Sequence, residues 1–245
     1  MKFKVVALSL LVIKKTAGDR MILSQFLQSW IDSARTFQKE LLNRFSSRSY
    51  TSLQLVEALA HAAKPTSVVE LSQEAPFQRS YSTINKVLNE FGAESLVTKE
   101  INEGGTVKTI KRIDPTLFSK ITRPFSALFV EMLPQEVNRK FRLFALDVTP
   151  IPRIHAHTLD DRSYVHQANQ IGIPITIGVQ TSALTYLPER SVEEANWQLP
   201  LSLERVSTDS TACEVASAQL QLLAELNSTD SLLTVIVTDT AYTSL

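Results

Sequence analysis

Between Ile22 and Phe45 the apolar residues Ile22, Leu23, Phe26, Leu27, Trp30, Ile31, Ala34, Phe37, Leu41, Leu42 and Phe45 recur three and four apart. That spacing predicts an amphipathic helix carrying one apolar stripe. A second helix is expected from Ser52 to Ala63, opened by Thr51 with Gln54 three residues on and stopped at Lys64-Pro65. Ser67-Val68-Val69-Glu70 repeats the capping signature and predicts a short helix through Glu74, broken by Ala75-Pro76-Phe77-Gln78. A third helix follows from about Ser80 to Phe91, with Gly92 placed to end it.

Helix, break, helix is the outline of a helix-turn-helix, whose second helix enters a major groove. Its outward candidates for contacting DNA are Arg79, Tyr81, Ser82, Asn85 and Lys86, with Ile84, Val87, Leu88 and Phe91 facing inward. Strands at Leu96–Ile101 and Thr106–Ile113 flank Asn102-Glu103-Gly104-Gly105, a hairpin signal. Lys108, Lys111 and Arg112 would make that hairpin a basic, DNA-binding wing. Residues 115–140 read as two short helices split at Arg123-Pro124, a connection between halves.

From Phe141 the period changes. Strands are expected at Phe141–Val148, Ile175–Tyr186, Trp197–Val206 and Leu232–Thr238, with a helix at about Thr211–Leu226 before the last. Three successive strands, a crossover helix and a further strand fit a mixed α/β sheet in which the first and fourth strands are neighbours. RNase H-like nucleotidyl-transfer domains use that order. It would bring together Asp147, which closes one apolar run, and Asp239, which closes another. Two carboxylates on rigid strand ends offer the hard oxygens a divalent cation needs.

The expected fold class is thus α+β to α/β: a helical N-terminal half with a winged helix-turn-helix-like module, then an incomplete RNase H-like mixed sheet. In residues, 1–20 form a dispensable extension, 21–114 the DNA-binding region, 115–140 the connection and 141–245 the sheet domain. Charge sharpens the division. Residues 1–142 hold 21 Lys+Arg against 13 Asp+Glu, and residues 143–245 hold 4 against 12. A basic half of this kind points to phosphate-bearing partners. Cys213 stands alone, which excludes an internal disulfide framework and a Cys-rich zinc module and fits a reducing cytoplasm. Residues 1–13 resemble the start of a signal peptide, but the charged Lys14–Arg20 stretch offers no small-x-small cleavage pattern. Thirteen residues are too few to span a bilayer as a helix. His155 and His157 would share one face of a strand, beside Asp160, Asp161 and His166, without matching a zinc spacing. Arg153 and Arg162 are placed either to steer phosphates or to neutralise Asp160 and Asp161. No Gly-rich phosphate loop, nucleophile elbow or nucleotide-cofactor fingerprint occurs.

Several segments together resemble the catalytic domain of DDE transposases of bacterial insertion sequences. They are Leu146-Asp147-Val148-Thr149-Pro150-Ile151-Pro152-Arg153, Thr158-Leu159-Asp160-Asp161-Arg162-Ser163-Tyr164-Val165 and Pro174-Ile175-Thr176-Ile177-Gly178. Trp197–Val206 and Val237-Thr238-Asp239-Thr240-Ala241-Tyr242 continue the likeness in the same order. The resemblance spans roughly residues 21–245 and implies an RNase H-like fold using three acidic residues with magnesium or manganese. Asp147 matches the first acid and Asp239 the second, in an Asp-x-x-Tyr context. The third, a glutamate much further along, has no counterpart here, so a fragment inactive by itself is the expectation. Its partners would be transposon-end and target DNA and a further copy of the chain. Two rival readings are a DNA-binding regulator, in the form of a truncated transposase that inhibits the intact enzyme, and a winged-helix transcription factor with a ligand-sensing domain. A third is an unfolded product with an uncovered sheet face.

Overall fold

A computed structural model describes residues 17–62, 67–91, 93, 96–103, 105–157, 159, 162–166, 175–189, 197–227, 231–239 and 242. The signal-like segment and Gly92 lie outside the described residues. The chain divides into two compact units, Met1–Glu94 and Ser95–Leu245, so the hairpin groups with the second unit.

In the first unit, helix α1 runs from Ala17 to Arg44, α2 from Ser49 to His61, α3 from Val68 to Leu71 and α4 from Tyr81 to Phe91. The apolar stripe of α1 is packed chiefly at its C-terminal end: Leu41 is buried, whereas Trp30 is 62% exposed. Helix α2 starts earlier than its sequence signal. Thr51 and Gln54 lie inside it, and the N-cap is Arg48 in the left-handed region (φ 45°) with no side-chain cap. Thr51 is instead buried with Ser52, Leu55 and Ala58 on one face, so packing overrides the capping pattern. The Ser67 cap forms as expected, its hydroxyl accepting from the Glu70 amide at 3.1 Å. However, α3 stops at Leu71 rather than Glu74. The core of this unit joins Leu55 and Ala58 of α2, Phe77 of the connection, and Ile84 and Val87 of α4.

The second unit opens with strands β1 (Leu96–Glu103) and β2 (Thr106–Ile113), an antiparallel hairpin closing at Glu103↔Thr106. Gly105 turns it at φ 87°, a conformation that costs glycine little. Helix α5 is continuous from Pro115 to Glu131 and correctsthe expected split, because Pro124 sits within it. Tertiary anchors hold the part of the helix that follows the proline. Leu128 is buried, and the Ser126 hydroxyl donates to the Leu201 carbonyl at 2.8 Å. Asp114 caps the start through the Leu117 amide, with Pro115 at the first helical position, where no N–H is missed.

The mixed sheet comprises β3 (Phe141–Pro152), β4 (Ser163–His166), β5 (Ile175–Leu187), β6 (Leu199–Val206) and β7 (Leu233–Thr238). Strand β5 pairs antiparallel with β3 on one side and with β4 and β6 on the other; β7 runs parallel to β3. Strand β4 was not expected from the sequence, and β3 extends beyond Val148. Pro150 and Pro152 are tolerated there because the β3–β7 ladder ends at Leu146, leaving the missing N–H groups without a ladder partner to lose. Helix α6 (Ala212–Leu226) links β6 to β7 and opens with a capping box between Thr211 and Glu214. It packs Ala216 and Leu223 against Phe144 and Leu146 of β3, Leu184 and Tyr186 of β5 and Leu201 of β6. Strand alternation sends Ala145 and Asp147 to the other face, with Leu203, Leu233 and Val237.

Candidate functional site

Strands β3 and β7 determine where the two acids go. Their parallel ladder runs from Phe141↔Leu233 to Leu146↔Thr238. Asp147, still within β3, and Asp239, the residue after β7, come next in each segment, and both are exposed. The Thr149 hydroxyl donates to the Asp147 carboxylate at 3.3 Å, steadying one oxygen from two positions along the same strand.

Tyr242 reports on both carboxylates. Its amide donates to the Asp239 carbonyl at 3.1 Å, a turn that returns the ring to the core, where it is 3% exposed. Burial raises the pKa of its hydroxyl and proximity of the Ser182 hydroxyl lowers it, while the negative fields of Asp147, Cys213 and Asp239 raise it further. One phenol therefore feels both acids, so they share one neighbourhood. The Tyr242 hydroxyl is enclosed with no well-formed hydrogen bond among the described residues. Apart from its place in the Asp-x-x-Tyr segment, nothing in the hydropathy pattern marks it.

Behind the acids lies a polar cluster that sequence reasoning missed. Gln219 of α6 is 2% exposed. Its side-chain oxygen accepts from the Ser182 hydroxyl at 2.6 Å, and its nitrogen donates to the Ser182 carbonyl (3.2 Å) and the Ser202 hydroxyl (3.1 Å). The cluster pins α6 to β5 and β6 and satisfies every buried group it contains. The only available signal was a glutamine in line with Ala216 and Leu223 on the buried helical face.

The donor set suits a hard divalent cation: the carboxylates of Asp147, inside β3, and of Asp239, just past β7, are exposed to solvent beside the end of one parallel ladder. His155 and His157 lie in turns beyond β3 and are exposed. Asp160 and Asp161 lie outside the described residues. The Arg162 guanidinium donates to the carbonyls of Arg153, Ile154 and Leu159, so it braces that loop.

The groove-reading candidates divide. Tyr81, Ser82, Asn85 and Lys86 are exposed on α4, and Arg79, just before it, donates to Gln54 at 3.0 Å. Ile84 and Val87 are buried as expected, but Leu88 is 53% exposed, correcting its inward assignment. Residues 72–80 separate α3 from α4, a longer break than the four-residue one expected. Lys108, Lys111 and Arg112 lie on β2, paired through the backbone with Ile101, Thr98 and Val97; their side chains lie outside the described residues.

Comparison with protein-family models, with curated proteins and with solved structures finds no match for this chain. Among the described residues, no helix is long and apolar enough to cross a membrane.

Proposed function

We propose that this chain is part of a DDE transposase with an RNase H-like catalytic domain. Its N-terminal half binds DNA, with α4 of the first unit as the helix that meets the duplex. The reading rests on one observation above the others: an aspartate follows the last pair of the parallel β3–β7 ladder in each of the two segments, Asp147 after Leu146 and Asp239 after Thr238. The strand order adds support, since three antiparallel strands followed by a crossover helix and a parallel strand is the RNase H-like plan. The reaction class is metal-dependent cleavage at transposon ends followed by strand transfer, in the cytoplasm.

Asp147 and Asp239 would hold magnesium or manganese, which supplies Lewis-acid stabilisation at phosphorus and a more acidic bound water. Thr149 fixes the Asp147 carboxylate, and Tyr242 closes the sheet end behind both acids, excluding water from the core side.

A regulatory reading, in which the chain occupies transposon ends and inhibits an intact enzyme, draws on the exposed polar face of α4. Both readings require DNA binding. In a gel-shift titration, duplex DNA should bind with strong salt dependence. Replacing Arg79 and Lys86 by alanine should weaken binding and lower the salt slope by about one per lost phosphate contact. Binding unaffected by both substitutions and by salt would refute the DNA-contacting role of α4.

A further inference from the structure

On the sheet face opposite the two aspartates, α5, β6 and α6 enclose a cleft of about 330 Å³. That is near the lower end of the range for small-ligand sites. Its chemistry differs from the acidic character of the surrounding sequence. Lys120 and Arg123 line it from α5, three residues apart, and Arg205 of β6 borders it, its side chain sent by strand alternation to the face of Leu203. The far wall is apolar, made by Val215, Ala218 and Leu222 of α6. Residues 143–245 contain only four basic residues, and one of them, Arg205, lines this cleft.

From this arrangement we infer that the cleft binds a phosphate-bearing ligand, with Lys120 and Arg123 on the phosphate and the apolar wall against the organic part. Two observations make room for the anion. Arg123 is paired with Glu225 at 2.7 Å, but their side chains are 49% and 57% exposed. An exposed pair of that kind contributes at most about 1 kcal/mol, so Arg123 is readily redirected to a doubly charged phosphate. Glu204, the carboxyl within the cleft, accepts from the Ser202 hydroxyl at 3.2 Å. Burial raises its pKa, with the Ser202 hydrogen bond opposing, so its charge is held less firmly than that of an exposed glutamate. Lys120, Arg123 and Arg205 line the same cleft as Glu204, and Glu225 of α6 is paired with Arg123.

Phosphate can come from a DNA backbone or from a free nucleotide, and titration of the full chain separates them. Inorganic phosphate and deoxyadenosine monophosphate are titrated by calorimetry, and a short DNA duplex is then used to displace them. Both small anions should bind, and the double variant Lys120→Gln/Arg123→Gln should weaken them about tenfold or more. Ser119→Asp, which adds a negative charge to the α5 wall, should weaken them independently. Displacement by duplex identifies a DNA phosphate as the natural occupant; its failure, with deoxyadenosine monophosphate preferred over phosphate, identifies a nucleotide. Absence of binding by either small anion, or binding unchanged in both variants, would overturn the assignment. None of these outcomes depends on whether Asp147 and Asp239 hold a cation.

Discussion

Gln219 shows how much one polar side chain can organise. Its three hydrogen bonds link α6 to two strands inside an otherwise apolar core. Gln219→Leu would strip the buried Ser182 hydroxyl and carbonyl of their Gln219 partners and leave Ser202 bonded to Glu204 alone, at a cost of about 1–3 kcal/mol. Urea unfolding should read that loss as a lower midpoint with an unchanged slope. Glu204 makes a pH-dependent prediction. Burial raises its folded pKa above the unfolded glutamate value, so its contribution to stability is fully present below about pH 4. It is lost as pH rises through the raised folded value, and the ionised group opposes folding at neutrality. Glu204→Gln should therefore unfold at a higher temperature than the parent at pH 7, with the difference vanishing on acidification. A difference that grows on acidification would contradict this assignment.

At the scale of elements, Gly178 fixes how closely β5 lies against β3. A Cβ there would run into the Ile151 carbonyl and come within 3.0 Å of the Pro152 Cα. Gly178→Ala should cost about 1–3 kcal/mol, measured as a shift in the urea midpoint, because backbone rather than a flexible side chain must move. Strands β3, β5 and β7 and helix α6 were legible because long apolar runs and a Thr-x-x-Glu cap speak locally. Elements decided by tertiary contact were not legible. Pro124 reads as a break until Leu128 and Ser126 are seen anchoring the far side of the helix. Thr51 and Gln54 read as a cap although Thr51 is buried inside α2. Strand β4 is only Ser163–His166, and its pairing to β5, rather than its own pattern, makes it a strand. The two aspartates were visible as residues; that they follow one ladder depends on strand order, which the expected α/β arrangement had already supplied.

At the scale of the molecule, topology turns a linear separation into a site. Strand β6 leads through α6 back to the far side of β3, so the ends of two distant apolar runs become neighbours. The sheet face that carries Asp147 also exposes Leu203 (62%), Leu233 (68%) and Val237 (52%), while α6 covers the other. Among the described residues, the acids thus stand on the exposed face of the sheet. The most direct test of the central claim is manganese binding to the full chain, followed by the loss of the free-ion electron paramagnetic resonance signal. The parent should take up the ion, and Asp147→Asn and Asp239→Asn should each weaken uptake about tenfold or more. A parent that takes up no manganese, or two variants that titrate like the parent, would contradict the account.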